Sequence, residues 1–267
     1  MQTGKVVYRH SAIMRLTHWL FVISFLALVS TGLQIFNAAP YLDASDKTTP
    51  ARRVLEISAP SQGVGTTTVF GRTLKTTGWL GWTDDGMGGK TGRAFPGWIT
   101  IPSYQDLADG RRWHLFFAWI MVFCGVAYIV WGARRHDLRE LVLRPSDIPK
   151  LLPMQLYYFR LRKEPPAHGK YNPLQKMAYT LVLFVFAPLI VLSGLALSPS
   201  FDAAVPWITT MFGGRQFARL WHFVLMIALC GFFAMHVMLV ATTGLRNHIT
   251  SMITGRYKLG AHDGVGV

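Results

Sequence analysis

Four histidines lie within or near the ends of long apolar segments, where they could bind metal. His222 and His236 are 14 residues apart in one such segment, and His18 and His114 lie near the starts of two others. In an α-helix, 14 residues return to within about 40° of the starting face after a rise of about 21 Å. A single helix could therefore hold one metal ligand near each surface of a membrane.

Four windows of the chain are almost free of charge and are long enough to cross a bilayer. They cover residues 16–36, 113–131, 177–197 and 221–240. A helix needs about 20 residues to cross about 30 Å of hydrocarbon. The first window is too long for a signal peptide and lacks a small-residue cleavage site, so we expect it to remain in the protein. The pattern predicts an all-α membrane protein with a four-transmembrane-helix bundle, residues 1–267 forming one domain.

Lys and Arg are concentrated on one side of the predicted membrane. Fifteen of the 27 lie before the first window, in the connection 134–173 or after the fourth window, whereas basic and acidic residues are nearly balanced in the connection 37–111. The positive-inside rule then predicts a bacterial inner-membrane protein with both termini in the cytoplasm. The net charge of +14 fits contact with anionic lipid headgroups. No nucleic-acid partner is expected, because the basic residues flank the spans instead of forming one patch.

The connection 37–111 is too rich in aromatic residues for a disordered linker. We predict that it forms a periplasmic loop subdomain covering the ends of the helices, with Phe95 and Trp98 among the covering residues. In the cytoplasmic connection 134–173, the segment 147–159 is largely apolar and carries Lys150, with Arg160, Arg162 and Lys163 following it. This pattern predicts a helix lying in the membrane interface. No internal repeat is evident.

Antiparallel threading of the spans predicts how the four histidines pair. His18 and His236 would meet near the cytoplasmic surface, and His114 and His222 near the periplasmic surface. Two imidazoles on one haem iron leave no open position, which suits electron transfer. Zinc fits less well, because two histidines without nearby Cys, Asp or Glu make a poor zinc set. The absence of a Cys-x-x-Cys-His motif predicts two haem b groups.

Several other residues have a functional and a plainer interpretation. Arg15, Arg111, Arg112 and Arg219 lie within a turn of the proposed ligands and could pair with haem propionates, or could simply mark the ends of the spans. The remaining histidines are expected to be ordinary surface residues: His10, His136, His168, His248 and His262.

The sequence around these histidines resembles the bacterial cytochrome b561 superfamily. The matching motifs are RLTHW at 15–19, GRRWH at 110–114, YNPLQK at 171–176 and ARLWH at 218–222. The spans carry one, one, no and two histidines, as in the membrane cytochrome b subunits of formate dehydrogenases, nickel–iron hydrogenases and thiosulfate reductases.

The resemblance implies the same two ligand pairs and a quinone site, for menaquinone or ubiquinone, on the cytoplasmic side. It assigns Asn172 to that site, although Pro173-Leu174 departs from the small residues of the family there. A helix-capping role is the alternative for Asn172.

The long insertion and its segment 95–102 look like the thiosulfate reductase branch. This likeness implies a periplasmic oxidoreductase partner, a molybdopterin or iron–sulfur protein, with a homo-oligomer also possible. The chain would then be a respiratory electron-transfer subunit with no substrate chemistry beyond quinone redox. Two alternatives stay open: a stand-alone b-type cytochrome that oxidises quinol toward a soluble acceptor, and a haem-free membrane anchor or transporter.

Overall fold

The computed structural model describes residues 6–134, 138–169 and 171–259. The chain divides into two compact units. Unit 1 comprises Met1–Trp19, Gly125–Leu189 and Ile227–Val267, and unit 2 comprises Leu20–Cys124 and Ile190–Met226. His18 and His236 therefore belong to unit 1, and His114 and His222 to unit 2.

Within the described residues, four helical segments are long and apolar enough to cross a membrane. They are Ala12–Phe36 (α1), Leu107–Arg134 (α2), Pro173–Leu197 and Arg215–Thr254 (α9). The third consists of Pro173–Leu181 (α5), a π-helical turn at Val182–Phe186, and Ala187–Leu197 (α6). Each predicted window lies inside one of these segments.

Most residues of these four segments are not buried inside the protein. Between 6% and 33% of the residues in their most apolar windows are buried. A soluble protein rarely exposes apolar patches of this extent. A helix satisfies its backbone hydrogen bonds internally, which is the condition for facing lipid.

The connection between the first two spans is β-structure. Four antiparallel strands form one sheet in chain order, and two more form a hairpin. The sheet contains Tyr41–Asp43 (β2), Arg53–Ser61 (β3), Val64–Val69 (β4) and Arg72–Lys75 (β5), and the hairpin contains Gly81–Asp84 (β6) and Lys90–Arg93 (β7). The all-α prediction is therefore right for the spans and wrong for this connection, where threonine and valine favour strands.

The β-structure shares a core with the end of α1. The buried members of this core are Phe36, Leu42, Ile57 and Ala94. Phe95 packs edge-on against Phe36 with ring centroids 5.6 Å apart, as a covering residue should. Trp98 is 69% exposed, and its covering role stays a prediction.

A buried arginine joins the hairpin to α1. The Nη2 group of Arg93 donates to Gln34 Oε1 and Thr100 Oγ1, both at 2.9 Å. Its Nη1 group donates to the backbone oxygens of Asp85 and Ser103 at 3.1 and 2.8 Å. The guanidinium thus satisfies acceptors that have little access to water.

Replacing Arg93 by methionine should destabilise the connection by about 3 kcal/mol, because several buried acceptors lose their donor. We expect limited proteolysis within residues 81–105 to become about a hundredfold faster, as local opening becomes easier. Arg72→Met, at an exposed position of β5, is the matched control. Equal cleavage rates for the two variants would contradict this role of Arg93.

The connection between the second and third spans and the ends of the chain belong to unit 1. The described part of that connection includes the short α-helices Leu138–Leu141 (α3) and Leu151–Tyr158 (α4). In and beside α4, Leu152 and Phe159 are 67% and 64% exposed, which suits the predicted interfacial helix. The strands Val6–Tyr8 (β1) and Arg256–Lys258 (β8) pair in antiparallel fashion.

Two short helices, Pro199–Ala204 (α7) and Pro206–Met211 (α8), precede α9 in unit 2. The last helix, α9, contains a non-helical residue, Gly244, with φ 125° and ψ 62°. This backbone conformation is one that only glycine adopts readily.

Candidate functional site

The structure brings the four span histidines together as two pairs. The ring centroids of His114 and His222 are 6.2 Å apart with an angle of 61° between the ring planes. Those of His18 and His236 are 6.4 Å apart with an angle of 60°. The two pairs thus have nearly the same geometry.

This spacing fits a metal ion held between two imidazoles. With metal–nitrogen bonds of about 2 Å, two opposed rings have centroids about 6 Å apart. No group of three or more His, Cys, Asp or Glu side chains that could hold a metal is found among the described residues. The donor sets therefore fit haem iron, whose porphyrin supplies the other ligands, better than zinc.

The ring of His114 is oriented by a hydroxyl on α1. Thr31 Oγ1 donates its hydrogen to the Ala27 carbonyl at 2.7 Å, so the His114 Nδ1–H donates to Thr31 Oγ1 at 2.9 Å. With the proton on Nδ1, the Nε2 lone pair remains for coordination.

The ring of His222 has the same arrangement on α6. Ser193 Oγ donates to the Ile190 carbonyl at 3.0 Å, and the His222 Nδ1–H donates to Ser193 Oγ at 3.0 Å. Hydroxyl partners of this kind fix the tautomer of a metal-binding histidine.

A glycine beside each hydroxyl makes room for the ring. A Cβ on Gly194 would lie 3.3 Å from Cε1 of His222, and a Cβ on Gly32 would lie 3.4 Å from Cε1 of His114. The first distance is tighter than most real Cβ contacts. Gly194 therefore allows an approach that alanine would hinder, whereas a Cβ on Gly32 would be at the edge of ordinary contact.

The sequence motifs did not identify the two hydroxyl residues or the two glycines. They belong to a short repeat, Val-x-Ser/Thr-Gly-Leu, at 29–33 and 191–195. A five-residue match between apolar segments has little weight alone, but comparing the two spans for shared hydroxyl-glycine pairs would have found it.

The surroundings of the His18–His236 pair are different. Trp19 lies edge-on to His18 with centroids 5.4 Å apart, and Phe232 stacks on His236 at 6.2 Å and 18°. Nδ1 of His18 is buried without a hydrogen-bond partner among the described residues. A buried polar atom of this kind is uncommon and suits a site that is completed by a ligand.

The arginines proposed as propionate partners have different environments. Arg15 donates from Nη1 to the Ile253 carbonyl, and its Nε is buried without a partner among the described residues. Arg112 is exposed and pairs with Asp109 at 2.9 Å, and Arg111 is exposed.

Arg219 is tied to the β-structure. Its guanidinium donates to the Ala39 carbonyl and lies 5.4 Å from the ring centroids of both Phe36 and Tyr41. Among the arginines predicted to pair with propionates, Arg15 has a buried donor, its Nε, without a partner among the described residues.

Asn172 is the N-cap of α5. Its Oδ1 accepts from the Gln175 amide at 2.9 Å, and its Nδ2 donates to the Tyr158 hydroxyl at 3.1 Å. Asn172 therefore caps the helix, which was the alternative role. Its contact with a quinone stays a prediction.

Next to this cap, Lys176 forms a 3.0 Å ion pair with the buried Asp147. The Arg144 backbone amide, together with the Lys176 ammonium, holds the pKa of Asp147 below its usual range. The carboxylate therefore stays charged at neutral pH and anchors the start of the third span.

Two of the other histidines interact electrostatically with the His18–His236 pair, His10 with His18 and His248 with His236. His168 is exposed, whereas His10 and His248 are half-buried, and His136 and His262 lie outside the described residues. Burial, followed by the charge of Arg9, lowers the pKa of His10.

The sequence pattern of the prokaryotic cytochrome b561 family matches residues 9–255. This chain belongs to that family. As a family member, it is a haem-binding membrane protein of electron transport, and its haem is of the b type. The resemblance inferred from the histidine motifs is thereby confirmed.

This cytochrome b561 is also similar to a curated protein. The putative protein-methionine-sulfoxide reductase subunit YedZ1 of Azospira oryzae is 27% identical over 247 residues, which cover 89% of this chain and 93% of the relative. The similarity extends over nearly the full length of both proteins.

Proposed function

We propose that this cytochrome b561 is the di-haem membrane subunit of a reductase, passing electrons from quinol to a partner that reduces oxidised methionine in proteins. The observation that carries the proposal is the presence of two histidine pairs with nearly equal ring spacing. The similarity to the YedZ1 subunit supports the choice of reductase.

His18 with His236, and His114 with His222, would each bind one haem b. A bound haem supplies a site that gains and loses one electron. The chain's own residues position the rings: Thr31 and Ser193 fix two of them, and the buried Nε of Arg15 offers a donor to a propionate near His18.

Electrons and protons balance in this scheme. Oxidation of a quinol to a quinone releases two electrons and two protons. Reduction of a sulfoxide to a thioether consumes two electrons and two protons and releases one water. The membrane subunit needs to transfer only the electrons, one at a time, because protons exchange with water at each site.

The partner would dock on the β-structure of unit 2. This region shares its core with Phe223, the neighbour of His222, and Arg219 joins it to α9. The β-structure thus lies in the same unit as the His114–His222 pair and packs beside one of its ligands. The partner is proposed to be periplasmic and to carry molybdopterin, as the family resemblance implies.

Quinol would react on the side of the His18–His236 pair. The start of α5 lies in the same unit, with Lys176 and Asp147 forming a partly buried charged pair there. The excess of basic residues near the ends of the chain supports a cytoplasmic position for this side and an inner-membrane location.

A haem assay tests the proposal. Protein purified in detergent should contain two haem b per chain by the pyridine haemochrome method, and both should be reduced by a soluble quinol analogue. A ratio of one or none would overturn the di-haem assignment.

A second measurement separates this proposal from a stand-alone cytochrome. Quinol-reduced protein should be reoxidised by the co-purified partner when it is given a protein containing methionine sulfoxide. Reoxidation that needs oxygen or a soluble acceptor, and is indifferent to the sulfoxide, would favour the stand-alone cytochrome.

A further inference from the structure

We infer that the hydroxyls of Thr31 and Ser193 tune the haem between His114 and His222, lowering its midpoint potential by strengthening both imidazole ligands. This inference rests on the proposed function, because it requires a haem at that pair. It assigns a role to two residues outside the histidine motifs.

The direction of each hydrogen bond follows from the helix backbone. A hydroxyl has one hydrogen, and Thr31 and Ser193 give theirs to carbonyls of their own helices at 2.7 and 3.0 Å. Each hydroxyl must therefore accept a hydrogen from the facing imidazole. Both rings are thus held with the proton on Nδ1.

The same hydroxyl–imidazole arrangement occurs twice, on different helices. In each case the hydroxyl is followed by the glycine that admits the ring, and a backbone oxygen three residues earlier is a second acceptor beside the ring. These oxygens belong to Leu28 for His114 and Ile190 for His222. Two independent occurrences around one pair argue against a chance contact.

A hydrogen bond from Nδ1–H increases the electron density that the ring donates to a metal. More donation stabilises the oxidised iron relative to the reduced iron, so the midpoint potential falls. Since Nδ1 of His18 has no such partner among the described residues, the effect should be confined to the His114–His222 haem.

The test is a redox titration of hydroxyl variants of the full-length protein, followed optically. Two midpoint potentials are expected, one for each haem. Thr31→Val and Ser193→Ala should each raise the midpoint potential of the His114–His222 haem, and the other midpoint potential should stay unchanged. The double variant should show about the sum of the two shifts. Thr31→Ser and Ser193→Thr, which keep the hydroxyl, should titrate like the original protein.

Matched controls remove a hydroxyl that bonds only to its own helix. Thr242 donates to the Met238 and Leu239 carbonyls at 3.0 and 3.1 Å, and Ser251 donates to the His248 carbonyl at 2.9 Å. Thr242→Val and Ser251→Ala should not shift the His114–His222 haem. The low-temperature electron paramagnetic resonance signal of that haem should change only in the hydroxyl-free variants at 31 and 193.

The outcomes separate this inference from the proposed function. If the original protein holds fewer than two haems, the proposed function fails. If it holds two and neither midpoint moves in the double variant, or both move equally, the tuning role is wrong. Loss of the haem in both single variants, with retention in the conservative ones, would also overturn tuning and leave these hydroxyls a role in haem binding alone.

Discussion

Replacing His222 by alanine is expected to lower the haem content from two per chain to one. A haem held by His114 and His222 would lose one of its two protein ligands, whereas both residues that would hold the other haem belong to unit 1. Quinol should still reduce the remaining haem, but electron delivery to a sulfoxide-reducing partner should stop. Pyridine haemochrome analysis and the optical α-band measure the loss.

The reciprocal variant and a control complete this experiment. His236→Ala should remove the other haem, and its spectrum should match the band that His222→Ala loses. His168→Ala, at an exposed position outside the spans, should keep both haems. Retention of two haems in the His222 variant would show that the pairs are assigned wrongly.

Gly194→Val, which fills the space beside a proposed ligand, should weaken haem binding. The Cβ of valine at position 194 would lie 3.3 Å from Cε1 of His222, and its two methyl groups would crowd the ring further. Overpacking of this kind costs about 1–3 kcal/mol, so haem binding at that pair should weaken by about tenfold or more. Titration of the apoprotein with haemin measures the change.

Gly231 provides the matched position for this variant. It lies in α9 between the two ligands of that helix, and a Cβ there would meet nothing within 4 Å. Gly231→Val should therefore bind both haems as the original protein does. An equal loss in the two valine variants would mean that β-branching in a span, and not contact with His222, is responsible.

The spans could be predicted from composition, and the histidine pairs from the order and depth of the histidines in those spans. A charge-free window of about 20 residues is most simply explained as a membrane-spanning helix. Antiparallel threading then brings His18 near His236, even though they are at opposite ends of the chain. The depth of a residue in a span follows from its position, so pairing by depth needs no further information.

The remaining features depend on helix rotation and on long-range packing. Thr31 meets His114 only because one side of α1 faces α2, and a span that is apolar all round gives no sign of which side that is. The β-sheet of the connection was missed, although its threonine and valine residues favour strands, because three of its four strands have only three to six residues. Asn172 had two plausible roles. Of the residues that it contacts, Gln175 belongs to the recognised motif and Tyr158 lies outside it.

The thiosulfate reductase likeness and the YedZ1 relative point to different substrates. Under the proposed function, electron donation to either reductase would make the same demands on the membrane subunit, because the subunit transfers only electrons. The substrate is thus a property of the partner, and residues of this chain around the two histidine pairs need not differ between such systems.

The short ribbon formed by Val6–Tyr8 and Arg256–Lys258 has a topological consequence. Strands that share backbone hydrogen bonds must occupy the same aqueous compartment, so the polypeptide has to traverse the bilayer an even number of times. A reporter enzyme fused at either extremity should therefore give the same readout, whichever compartment that turns out to be.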